Sequence, residues 1–392
     1  MTLFASNRFA SASAAGTDWR DAARRVLEQL EKARLPASNI GFLYITGELV
    51  DEAASILDLF RSVTKVEHWL GAAGAGVLGT GISHIGQPAI SAMIGYIAAD
   101  DFCVSPAASL DSDAHEIALD RWLEAHYPML VLVHGAPDFD VDAQGTLAAI
   151  ERRTSGFLAG GISSSRKPVL FADGVDGSGF SGAVFSQNVA VATALTQGCA
   201  PLGPVHTVTR CEDHVLMELD GQRASDVFLE DLRALGGAGM QECDAESLIG
   251  RFRGDVHIAF PVSGSDQRDY LVRNALGVDP ERGWIALAQP VANGDKLLFV
   301  HRDGETMRAD LSRMLTDLRA RLTRERGSFA PAGALYISCV ARMQQGFSDS
   351  PGSEMELVRE IIGDAPLAGF YAAGEISNSR LYGYTAVLIL FL

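Results

Sequence analysis

Cysteine is sparse in this 392-residue chain and basic charge is scarcer than acidic. The five cysteines, Cys103, Cys199, Cys211, Cys243 and Cys339, are far apart and odd in number, with no CxxC, CxxCH or zinc-knuckle spacing. Those spacings disfavour a disulfide framework or a structural zinc site and suit the reduced thiols of a cytoplasmic protein. Lys and Arg total 32 against 49 Asp and Glu, a net charge of −17. Such a field does not attract nucleic acid or an anionic membrane, although it leaves room for a local basic pocket. No run approaches the roughly 20 apolar residues that cross a bilayer, and the opening MTLFASNRFASASAAG lacks the apolar stretch of a signal peptide. The nine histidines form no HxxxH or HExxH, and no Walker A, GxSxG or kinase signature occurs. GAGVLG at 74–79 has dinucleotide-like spacing, but strand-like sequence follows it where a Rossmann site needs a helix.

Glycine, by contrast, is plentiful: 40 residues, clustered at the ends of strand-like runs. The length predicts two domains. One pattern returns three times. DWRDAARRVLEQLEKARL (18–35) has Trp19, Val26, Leu27 and Leu30 at helical spacing, with Thr17 or Asp18 as cap. GFLYIT (41–46), a second helix, HWLGAAGAG (68–76) and PAISAMIGYIA (88–98) follow. The order recurs as MLVLVHG (129–135), FLAGGISSS (157–165) and GFSGAVFS (179–186). It recurs again as GETMRADLSRMLTDLRARL (304–322), ALYISCVARM (334–343), a helix boxed by Ser353 and Glu356 that stops at Gly363, LAGFYAAGEIS (367–377) and LYGYTAVLILF (381–391). The unit reads helix, strand, helix, glycine-rich strand, strand. The predicted class is mixed α/β, with mixed sheets covered by helices. Residues 186–221 read instead as an antiparallel meander, and GGAGMQECDAES (236–247) as a linker. The expected division is a tail at 1–17, one domain at 18–235 and another at 236–392.

Glycine inside strands is costly unless a chain bends or something must approach the backbone closely. Gly71, Gly74 and Gly160 therefore suggest bends that converge on a ligand or on another sheet. Glu375, directly behind Gly374 at the end of an apolar run, must be paired or protonated if buried. Arg380, beyond the turn Ser377–Asn378–Ser379, is close enough in sequence either to pin the hairpin or to leave Glu375 for a ligand amine or hydroxyl. Tyr384 and Thr385 offer neutral hydrogen bonds. Cys339 reads as a small core residue or as a thiol activated by Arg342, and Arg342 as a surface ion pair or a carboxylate or phosphate clamp at a strand end. His68, His84 and His134 are the weak haem or metal candidates.

GFYAAGEISNSRLYGYTAVLILF with ISCVAR upstream resembles the C-terminal part of the FIST family. GFLYIT, HWLGAAGAG and PLGPVHTVTR…VLMELDG resemble its N-terminal part. Carried over by position, the family's motif residues are Cys339, Arg342, Gly369, Phe370, Gly374 and Glu375. The resemblance implies a stand-alone bacterial sensory module for an amino-acid-like or other polar metabolite, acting through a partner such as a histidine kinase. It also implies alternatives: a haem-binding nitric-oxide sensor, or an interaction scaffold like the family's F-box relatives. An enzyme with Cys339 as nucleophile and Glu375 as base lacks a visible base–orienter pair, so the reading leans away from catalysis.

Overall fold

The structure, a computed structural model, describes residues 9–33, 35, 37–105, 112–137, 142–235, 243–251, 254–262, 270–345 and 353–392. The expected linker lies partly outside them, since residues 236–242 are not among the described ones. By compactness the chain forms two units, Met1–Thr196 with Ser312–Leu392, and Gln197–Leu311.

The first unit contains the three repeats, except for the opening turns of the third repeat's long helix. The first comprises β1 (Phe9–Ala15), α1 (Trp19–Ala33), β2 (Ile40–Thr46), α2 (Ala53–Thr64), β3 (His68–Gly74), β4 (Gly76–Gly79), β5 (Ile82–Ile85) and β6 (Ala89–Gly95). The second comprises β7 (Phe102–Ser105), α3 (Ser112–Ala125), β8 (Pro128–Gly135), α4 (Ala143–Thr154), β9 (Phe157–Ile162), β10 (Leu170–Ala172), β11 (Val175–Asp176) and β12 (Phe180–Ser186). The third opens with β13 (Val191–Thr196) and is then interrupted by the second unit.

That inserted unit holds β14 (Ala200–Pro201), β15 (His206–Glu212), β16 (Val215–Leu219), β17 (Gln222–Arg223), α5 (Ala224–Leu235), α6 (Ala245–Arg251), β18 (Val256–Pro261), β19 (Tyr270–Arg273), β20 (Ala275–Asp279), β21 (Trp284–Leu287) and β22 (Lys296–His301). Its strands pair in the order β19-β18-β22-β15-β16-β21-β20, antiparallel throughout, with β14 on β22 and β17 on β16. A separate core of Val208, Leu216, Phe228, Leu232, Ile285 and Phe299 fills it. Within it the buried His206 is clamped from both sides: His206 Nδ1 lies 2.7 Å from Asp220 Oδ2 and Nε2 3.1 Å from Asp231 Oδ2.

The third repeat resumes through α7 (Gly304–Arg326), β23 (Gly333–Cys339), α8 (Arg342–Gln345), α9 (Glu354–Ile362), β24 (Leu367–Ala372), β25 (Gly374–Ser377), β26 (Arg380–Tyr382) and β27 (Ala386–Phe391). The capping box of Ser353 and Glu356 closes the start of α9, and Gly363 ends it. Two features differ from the sequence reading. Residues 9–15, expected in a tail, form the edge strand β1, and the glycine-rich runs of the first and third repeats are each two strands rather than one.

Three six-stranded sheets share one layout. They run β1-β6-β2-β3-β10-β11, β7-β12-β8-β9-β25-β26 and β13-β27-β23-β24-β4-β5. At the centre of each lies a parallel pair, β2/β3, β8/β9 and β23/β24. The last two strands of every sheet come from a different repeat, so each repeat lends its hairpin to a neighbour. Helices α1 and α2 cover the outer face of the first sheet through Val26, Leu30, Ile56 and Phe60. The inner faces of all three sheets meet in one core that includes Phe42, Tyr44, Val77, Leu132, Leu170, Ile337, Phe370 and Phe391.

The registers align the repeats residue by residue. Leu43, Val133 and Tyr336 stand opposite Gly71, Gly160 and Gly369. A methyl group built on those glycines would lie 1.8, 1.7 and 1.8 Å from the partner's carbonyl oxygen. Only glycine permits that approach, which supplies a packing reason for Gly71 and Gly160. Gly74 has one as well, because its missing side chain would lie 2.7 Å from the Tyr371 carbonyl oxygen. The bends where strands change sheet do converge. Ser163 Oγ donates to the Ala73 carbonyl, Ala75 N–H donates to Ser164 Oγ, and Ser164 Oγ donates to the Tyr371 carbonyl.

Candidate functional site: a buried acid cluster in the third repeat

The same registers isolate the residue that breaks the symmetry. Glu375 pairs with Gly161, Val77 with Phe370, and Leu170 with Ala72, which are equivalent places in the three sheets. Two repeats put an aliphatic side chain into the shared core there, and the third puts a carboxyl group, fully buried at 0% exposure. Its Oε2 accepts hydrogen bonds from Thr385 N–H (3.1 Å) and Thr385 Oγ1 (2.7 Å). Burial pushes its pKa up to about 8, against smaller opposing effects of the Thr385 bonds, the Arg342 charge and the Cys339 thiol. At neutral pH the group therefore rests protonated.

Arg380 does not pair with Glu375. The hairpin sets Glu375 opposite Tyr382 and Arg380 opposite Ser377, across a two-residue turn in which Asn378 and Ser379 both have positive φ. Cys339 occupies the end of β23, buried, and its Sγ accepts the Tyr384 N–H at 3.3 Å. Tyr384 itself is in the left-handed region, φ 68°.

Arg342 sits one turn beyond the strand end where the sequence reading placed it, as the first residue of α8. It is a clamp, but one already engaged inside the protein. Nε lies 2.8 Å and Nη2 2.7 Å from Glu354 Oε1, with exposures of 1% and 2% for the two residues. Tyr336 OH and Ser338 Oγ donate to the two oxygens of Glu354 at 2.8 and 3.0 Å. Alternation along β23 explains the layout. Leu335 and Ile337 belong to the shared core, while Tyr336 and Ser338 face the other side, toward the start of α9. Burial and the neighbouring Glu354 raise the Tyr336 phenol well above its ordinary range.

Glu354, Tyr336 and Ser338 were not singled out from sequence. The signal for them was two polar residues on one face of an apolar strand, plus a second acid in the first turn of a helix whose capping box uses only Glu356. The structure thus brings Cys339, Arg342, Gly374, Glu375, Thr385 and Tyr384 of the third repeat together, where β25 of the second sheet meets the ends of β23 and β27 of the third.

The histidines are dispersed. His134 stands at a central position equivalent to Tyr44 and Ile337; its Nε2 lies 3.2 Å from Tyr44 OH and its ring 5.9 Å from Phe370. Burial pushes its pKa down to about 3. His68 is held by Asp173, Nδ1 to Oδ2 at 2.7 Å. It borders an open depression of about 490 Å³ walled by Arg61, Lys65, Glu67 and Asp173. His84 faces Val77 across β4/β5 and is likewise kept neutral by burial. A porphyrin needs apolar walls. The His134 ring is packed against other rings and the His68 wall is charged, so neither place fits haem.

Fold and site together define a class: an α/β protein built from three strand-exchanging repeats, carrying an inserted antiparallel unit and a buried acidic centre in the third repeat. Family models place it more narrowly. A FIST N domain matches residues 39–222 and a FIST C domain residues 224–378, and the chain belongs to the FIST family. FIST domains are generally sensory domains of signal transduction. An uncharacterized protein of Mycobacterium tuberculosis is 31% identical over 205 residues, 51% of this chain and 50% of the relative. An uncharacterized protein of Mycobacterium bovis is 34% identical over 210 residues, 50% of this chain and 49% of the relative. The chain spans about half the length of the curated relatives it matches. Among the described residues no helix is long and apolar enough to cross a membrane.

Proposed function

We propose that this chain is a cytoplasmic sensor for a small polar metabolite of amino-acid type. The acid cluster of the third repeat is its ligand site, and a partner protein, such as a histidine kinase, carries the output. The observation that supports this reading is the lone carboxyl at a place where sister repeats carry Val77 and Leu170. The fold manages with aliphatic residues there twice, so the third copy bears the cost of a buried acid for another reason.

The chemistry suits a zwitterion. A ligand carboxylate competes with Glu354 for the Arg342 guanidinium, and a ligand ammonium pairs with Glu375, which gives up its proton. Both groups are buried, so binding has to part the β25/β26 hairpin or α8 from the strands beneath. That movement is the change a partner reads.

Two measurements test this. Thermal-shift titration with the free amino acids should stabilise the parent, and Glu375→Gln and Arg342→Gln should each abolish the shift while remaining folded. Calorimetric titration near neutral pH in buffers of different ionisation enthalpy should report one proton released per ligand bound. If both variants respond like the parent, the site assignment is wrong.

A further inference from the structure

The repeat frame also exposes a vacancy elsewhere. Phe9 of β1 pairs with Gly95, which pairs with Ile40 of β2. Phe102 of β7 pairs with Phe185, and Phe185 with Leu130 of β8. At the corresponding place in β13 stands Val191, paired with Phe391, which pairs with Gly333 of β23. Phe9 stacks on Phe391 at 4.9 Å and covers Gly333, whose added methyl would lie 2.8 Å from the ring. Phe102 packs edge-on against His68 at 5.2 Å. Where the third phenylalanine would lie, a half-open groove of about 510 Å³ runs beside Val191 instead.

We infer that this groove binds a small amphipathic anion: an aromatic or aliphatic body, roughly a benzyl group in size, joined to one carboxylate. The apolar part of the site comes from Val191, Leu130 and Phe157, the last two register partners in the parallel pair β8/β9. The charge comes from α7, whose last turns bring Arg321 and Arg326 to the rim with Glu325 between them. Neither arginine has an ion-pair partner among the described residues. Two uncommitted guanidinium groups beside an apolar hollow select a ligand that is greasy at one end and negative at the other. This site is separate from the acid cluster, and the inference does not rest on the function proposed for that cluster.

Calorimetric titration of the whole chain with 3-phenylpropionate and with the uncharged 3-phenylpropan-1-ol tests it. The carboxylate should bind the parent at least tenfold more tightly than the alcohol. Val191→Phe, which restores the side chain of the other repeats, should remove binding of both and keep or raise the Tm. The double variant Arg321→Ala/Arg326→Ala should weaken the carboxylate roughly tenfold and leave the alcohol unchanged. A parent that binds neither probe overturns the inference, as does Val191→Phe binding like the parent or the arginine variant keeping its preference for the carboxylate. Should Val191→Phe fail to fold, the arginine variant, altered only on an exposed helix face, decides alone.

Discussion

At the scale of single residues the chain's electrostatics turn on Glu375 and Glu354, which carry opposite lessons. Glu375 titrates near 8 in the folded protein against an ordinary 4.5. Between those values the folded state keeps a proton that the unfolded state has lost. Its contribution to stability therefore falls as pH rises through that window and levels off above about 8, a loss on the order of a few kcal/mol. Glu375→Gln should flatten this slope and raise stability at pH 7 and above, read from urea midpoints at pH 5, 7 and 9. An unchanged slope would show that another group carries it. Glu354 differs, because it neutralises a guanidinium that is itself buried. Glu354→Ala should cost about 3–5 kcal/mol by removing the carboxylate that faces that buried charge, and Arg342→Met with Glu354→Leu should recover much of the loss. Recovery that never comes would mean the carboxylate acts through its bonds to Tyr336 and Ser338 rather than through Arg342. Glu375 was visible in sequence because a charge inside an apolar strand stands out. Glu354 was not, because an acid in a helix's first turn is ordinary, and its partner Arg342 is twelve residues away across residues that give no local hint of the contact.

Among the elements, the long helices and the strands of the parallel pairs were legible because their apolar periodicities are long and regular. The two- to four-residue hairpin strands, such as β5, β11 and β26, were not, since so short a run carries no periodicity to read. The glycines of the parallel pairs were seen, yet their meaning had two readings, a ligand or a neighbouring strand. Their equivalents in all three sheets now have a packing cause. Gly160→Ala would push a methyl to within 1.7 Å of the Val133 carbonyl oxygen, and should cost more than about 4 kcal/mol or prevent folding. Gly277→Ala, on β20 with nothing near its added methyl, should change stability by less than about 0.5 kcal/mol. Chemical denaturation of the pair checks the contrast, and equal losses would contradict the geometric account.

On the scale of the whole molecule, two units with separate cores should give two calorimetric transitions. Glu354→Ala should move only the one belonging to the first unit. His206→Phe, which removes the imidazole held between Asp220 and Asp231, should move only the other. The His206 effect should also depend on pH. Burial opposes the imidazolium, but the two carboxylates prevail and raise its pKa above 6.5. Its stabilisation is thus complete below that value and is lost as pH climbs through the raised one, so the variant should suffer more at pH 6 than at pH 9. A single transition shifted by either change would mean the units unfold as one. The lending of hairpins has a last consequence, for biosynthesis. The second sheet waits for β25 and β26, and the third sheet is where β4 and β5 must dock, so strands made early remain unpartnered until the ribosome has released the final repeat. A nascent chain of this kind cannot bank its native structure piece by piece. Premature stop codons even close to the last strands should leave sticky, protease-sensitive fragments rather than shortened but working proteins.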